Sequence, residues 1–159
     1  MSWPVARKVK SLGRLSFFTL FWLPFVWLLL GLTRASILLL TFKRLSGMLG
    51  QSSDRFDFVP ATSMGQTKRA IQIRKLINVA ARNTPWVSNC FPTAIVARIL
   101  LGIYGIPYAL YFGLRRDVDT GALLAHAWVK SGDEWISGRL DGETFQVVGC
   151  YGCQTWKEP

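Results

Sequence analysis

"NTPWVSNCFPTAIVARILLGIYGIPYALYFGL" runs from residue 83 to residue 114, and its periodicity changes partway through. Pro85 disfavours helical geometry at Thr84, so a preceding helix ends there. A second helix begins at about Cys90. Pro92 fits its first turn, where an N–H has no partner to lose, and Val96, Ile99, Leu100 and Ile103 recur at helical spacing as a buried stripe. Gly102 and Gly105 close it. Beyond Pro107 the pattern alternates: "YALYFGL", "LLAHAWVK", "EWISGR" and "TFQVVGCYG" predict four short strands, the middle two joined at "SGDE" by a tight hairpin. A helix pair followed by a meander is an α+β arrangement.

Working back towards the N-terminus, Ile73, Leu76, Ile77 and Ala80 share one face of a helix that Thr67 caps and that runs through Arg82, with Lys68, Arg74 and Lys75 mostly off that face. Residues 51–65 are polar and turn-rich and predict a linker. Residues 1–50 form an apolar, basic helical region, which leaves 66–159 as the main domain. Within the first region, residues 16–33 carry no charge, and as a helix of about 1.5 Å rise per residue they would be roughly 27 Å long, close to the lower limit for a bilayer span. Pro24 interrupts the run, Arg34 closes it and a second apolar run follows at Ile37. Two helices are therefore expected, roughly 11–31 and 34–47, either packed on the domain as a platform for a partner or associated with a membrane surface. Basic residues flank the run on both sides, so no charge bias orients it. A signal peptide, the third alternative, lacks a small-residue cleavage site.

The chain has 159 residues, half of them hydrophobic, and its 19 Lys and Arg against 9 Asp and Glu give a net charge of +10. That is the composition of one folded, basic domain with a short extension. The basic residues are dispersed, without the aromatic-interleaved patch or zinc knuckle of a nucleic-acid binder, so no nucleic-acid partner is expected. The first acidic residue is Asp54, and an anionic lipid surface, an acidic peptide or a partner protein would suit the cationic N-terminal third. Three cysteines, Cys90, Cys150 and Cys153, are too few for a secreted disulfide framework and favour a cytoplasmic location. "CYGC" at 150–153 leaves open a redox pair, in which case the chain is a membrane-anchored redox protein. It completes no metal site, because there is no second C-x-x-C and His126 is the only histidine. No metal or cofactor is expected.

A thiol at a helix N-terminus meets unpartnered N–H groups and about half a positive charge, and both favour the thiolate. The alternative for Cys90 is a small buried residue in a core. In "AHAWVK", strand alternation places Leu123, Ala125, Ala127 and Val129 on one face and Leu124, His126, Trp128 and Lys130 on the other. A cysteine at a helix start and a histidine on a later strand are what a thiol hydrolase needs, with imidazole taking the thiol proton and returning it to the leaving amine.

"PWxxxC" opening a helix, then "LL…GI", "LYFGLRR" and "AHAWV", in that order over about residues 66–149, resemble the leader peptidases of lasso-peptide biosynthesis. These form the protease half of the B protein, among the transglutaminase-like cysteine hydrolases. The resemblance implies a transglutaminase/papain-like core, a nucleophilic Cys90 and a general acid/base His126 that together remove the leader from a ribosomally made precursor peptide. It also implies two partners: a separate leader-recognition protein like the chaperone of pyrroloquinoline quinone synthesis, and an asparagine-synthetase-like cyclase. Many relatives orient the histidine with an aspartate about twelve residues on, where this chain has Gly138. Asp141 is the candidate for that role, with the Ser137 hydroxyl as the other choice; Asp133, at the hairpin tip, is too distant. The alternative function on the same fold is a non-catalytic scaffold that binds the precursor.

Overall fold

The computed structural model describes residues 16–39, 61–86, 88–139, 142 and 144–152. They form α1 (Phe17–Leu39), α2 (Met64–Ala81), α3 (Cys90–Ile103), β1 (Ala109–Arg116), β2 (Leu123–Ser131), β3 (Glu134–Ser137) and β4 (Gln146–Gly152). The helices cover one face of a four-stranded antiparallel sheet of order β3-β2-β1-β4. β1 to β3 form the expected meander. β4 does not continue it; it returns to the free edge of β1, because that edge still offers a full row of backbone donors and acceptors.

α1 runs unbroken through residues 31–34, where a break between two helices was expected. Ser16 caps it, its hydroxyl accepting from Thr19 N at 3.3 Å, and the chain stays helical through Pro24. Gly31 is not a helix end. A Cβ there would lie 2.9 Å from the Trp86 indole, so glycine is needed for close approach. Thr33 and Ser36 return their hydroxyls to Leu29 O (2.7 Å) and Leu32 O (2.9 Å) and so satisfy themselves within the helix. Val26 and Leu30, both 0% exposed, tie α1 into the main core, and Trp22 Nε1 donates to the Tyr104 hydroxyl at 2.7 Å. The second predicted helix, beyond residue 39, lies outside the described residues, as does the linker up to residue 60.

The cap of α2 lies four residues before the predicted one. Ser63, not Thr67, caps it through a reciprocal box in which Gln66 N donates to Ser63 Oγ at 3.3 Å and Ser63 N donates to Gln66 Oε1 at 2.9 Å. Its buried face is Ala70, Ile73, Leu76, Ile77 and Ala80, and Arg74 pairs with Glu134 at 2.7 Å to tie it to β3. α3 begins at Cys90 as expected, but its buried face is turned towards Ala97 and Leu101, leaving Ile103 58% exposed.

The alternation read in β2 is present. Ala127 and Val129 enter the main core with Leu110 and Phe112 of β1. Trp128 joins Ala109, Tyr111 and Cys150 in a smaller cluster on the opposite face. β3 pairs only with residues 129–131 of β2, so this pairing stops short of His126.

Candidate active site

Cys90 is the first residue of α3, with Asn89 as N-cap, and it is half-buried. The Asn89 side chain makes no cap hydrogen bond. Thr93 fixes the first turn, its hydroxyl reaching Asn89 O and Cys90 O at 3.0 Å each. Before the helix, the Thr84 hydroxyl lies 3.0 Å from both Ala81 O and Trp86 O, donating to one at a time, and meets Ser88 Oγ at 2.9 Å. Trp86 in turn packs on Trp27 of α1, ring centroids 4.5 Å apart. The approach to Cys90 is therefore held from both α2 and α1.

His126 pairs across the sheet with Gly113 of β1. Its ring lies near-parallel to Phe145 (centroids 5.1 Å, 30°) and to Trp128 (6.0 Å, 24°). Nε2 is 3.0 Å from Gly138 O. Cys90 and His126 line one cavity of about 340 Å³, together with Asn89, Phe91, Phe112, Gly113, Leu114, Ala125, Ala127 and Val148. Among the described residues no hydrogen bond joins the Cys90 sulfur to the imidazole. Such contacts commonly tighten only when substrate binds.

Of the candidates for the third residue, Asp141 lies outside the described residues. Ser137 does not orient the ring: its hydroxyl is buried without a hydrogen-bond partner among the described residues, and its residue pairs with Val129. The contact to His126 comes from Gly138, by main chain instead of side chain. Side-chain spacing carries no sign of a backbone acceptor. The signal in the sequence is a glycine at the spacing where relatives carry an orienting side chain.

Cys150 is 1% exposed inside the smaller cluster, where burial pushes its thiol up to about 11. A thiol held protonated in apolar surroundings is a poor redox nucleophile, so the C-x-x-C redox alternative loses its first sulfur; Cys153 is outside the described residues. Among the described residues no three His, Cys, Asp or Glu side chains gather as a metal site.

A thiol at a helix terminus and a histidine in the same cavity are the residues that acyl transfer to sulfur uses, while the His126 ring itself stacks on Trp128 and Phe145, on the sheet face opposite the main core. No curated protein and no solved structure matches the chain significantly. The sequence pattern of the transglutaminase-like superfamily, which includes cysteine peptidases, matches residues 23–150, a span that starts within α1 and ends in β4. By that match, over most of its length and over the whole site, the chain belongs to the transglutaminase-like superfamily.

Proposed function

We propose that this chain is a cysteine peptidase that removes the leader from a ribosomally made precursor during lasso-peptide maturation. The observation that carries the reading is that Cys90, at a helix N-terminus, and His126, the chain's only histidine, line one cavity. The Cys90 thiol passes its proton to the imidazole and its sulfur attacks the scissile carbonyl. The amide C–N bond breaks, the leaving amine takes the proton from the imidazolium, and water then hydrolyses the thioester by the same base. The developing oxyanion meets the Cys90 backbone N–H, and Asn89, which lines the cavity without serving as a side-chain cap, is the candidate second donor. Phe91, Phe112, Leu114 and Val148 make the cavity largely apolar, so the side chain beside the scissile bond is apolar.

The partners in this reading are the precursor, a separate leader-recognition protein and an asparagine-synthetase-like cyclase, with the cationic surface attracting an acidic leader. The setting is the cytoplasmic face of a membrane. α1 contains a stretch, Phe17–Ser36, long and apolar enough to cross a bilayer. Here its inner face is packed on the domain, and Phe17, Phe21, Phe25, Leu28 and Leu32, each more than half exposed, form an outer apolar stripe suited to lie on anionic lipid.

The test is cleavage of a lasso precursor by the full chain with its recognition protein, read by mass spectrometry. Cys90→Ala and His126→Ala each lower the rate by about 10⁴-fold or more, with precursor binding retained. Cleavage by Cys90→Ala at the wild-type rate would refute the peptidase. Precursor binding by a wild-type chain that never cleaves would instead identify a scaffold, the reading favoured by glycine standing at position 138.

A further inference from the structure

Gly138 stands at the distance from His126 where an orienting carboxylate was sought, and it does more than leave a gap. We infer that its main-chain carbonyl is the positioning group for His126, fixing the neutral ring as the tautomer with hydrogen on Nε2 and a lone pair on Nδ1. This rests on His126 being the proton carrier of the reaction above.

The chemistry follows from one contact. A carbonyl oxygen has lone pairs and no proton, so a 3.0 Å contact between it and Nε2 is a hydrogen bond only if Nε2 carries the hydrogen. The neutral ring then has its lone pair on Nδ1, the nitrogen that must receive the thiol proton. The rings of Phe145 and Trp128 restrict the imidazole plane, so plane and tautomer are set by different neighbours.

The backbone at 138 is built for this contact. Gly138 has φ of 64°, in the left-handed region, and a Cβ there would collide with Ala127 O and lie 2.9 Å from Trp128 Cα. No side chain, an aspartate included, can occupy the position without displacing the carbonyl. The neighbouring hydroxyl of Ser137 is buried and makes no competing bond among the described residues. A neutral carbonyl orients the ring but does not add a full negative charge opposite the imidazolium. That division suits a thiol nucleophile, which is intrinsically more reactive than a hydroxyl and leans less on its base.

His126 being the only histidine, a long-range proton–nitrogen correlation spectrum of the ¹⁵N-labelled full chain at mildly alkaline pH shows a single imidazole. The expected pattern is a protonated Nε2 and an unprotonated Nδ1, unchanged in Asp141→Asn. Gly138→Ala should give a mixture of tautomers and, if peptidase activity is present, a kcat lower by about 10²-fold with KM little altered. A wild-type ring protonated on Nδ1, or a tautomer that changes in Asp141→Asn, overturns the inference. If Gly138→Ala does not fold, the wild-type and Asp141→Asn spectra still decide it. A chain that shows the expected tautomer but cleaves nothing would sink the peptidase and leave the positioning intact.

Discussion

Leu28 and Leu30 lie two residues apart on α1, one 56% exposed and the other fully buried in the main core, so truncating each to alanine separates the helix from its docking. Leu30→Ala removes a side chain enclosed by the core that α1 shares with α2 and α3, and such changes cost about 2–5 kcal/mol, the transfer energy plus the cavity left behind. For a domain of this size, each kcal/mol moves the melting point by about 2–4 °C, so a loss of about 3 kcal/mol lowers it by about 6–12 °C. Leu28→Ala, on the outer stripe, should stay within about 0.5 kcal/mol and about 2 °C. Urea titration of the full chain, followed by circular dichroism, measures both, and the two variants should share the wild-type slope while only Leu30→Ala shifts the midpoint. Equal midpoints for all three proteins would refute the reasoning, because α1 would then lie outside the cooperative unit.

Three further outcomes follow from particular contacts. Burial raises the Cys150 thiol from 9.0 to about 11, so the folded state holds its proton more tightly than the unfolded state. The associated stability is intact below about pH 9 and lost as pH rises towards 11, by on the order of 3 kcal/mol at most; Cys150→Ala should flatten that part of a stability–pH curve relative to wild type. Gly31→Ala places a methyl 2.9 Å from the Trp86 ring, four residues before Cys90, and should slow cleavage more than its overpacking cost of about 1–3 kcal/mol lowers stability, as parallel kinetic and denaturation measurements would show. Asp117 accepts from Thr120 N and Thr120 Oγ1 at 2.8 Å each and from Asp119 N at 3.1 Å, and these bonds, the first above all, hold its carboxyl below the usual range. Protection of the 117–121 turn, measured as exchange relative to the intrinsic rate at each pH, should therefore fall as pH drops through the folded pKa of Asp117, and Asp117→Ala should show the lower protection at neutral pH.

Much of the site was visible in the sequence because its determinants are local. Pro85 and Pro92 bracket the start of α3, and the alternation in "AHAWVK" places His126 on the face with Trp128. The capping box of α2 is equally local: "SMGQ" at 63–66 has a serine followed three residues later by glutamine, and Thr67, four residues on, mimics a cap. The remaining features depend on distant partners. Pro24 and Gly31 look like helix breakers until the core around Val26 and the ring of Trp86 are in place. The return of β4 to β1 depends on an edge that only the assembled sheet possesses. Gly138 acts on His126 through an atom every residue has, which residue identity cannot announce.

The bond between Trp22 and Tyr104 spans 82 residues, and this separation sets an order during synthesis. At about 5–20 residues per second, a ribosome needs roughly 4–16 s after Trp22 to make its partner. For that interval α1 exists with both its apolar faces uncovered, the inner one having nothing yet to rest on. The hairpin carrying His126 and Gly138 joins residues only 12 apart in sequence and can form almost as soon as it emerges. The nascent chain is therefore most exposed to aggregation, or to capture by a chaperone or a bilayer, at its oldest segment, and the partners of α1 are complete before the hairpin carrying His126 and Gly138 has been made.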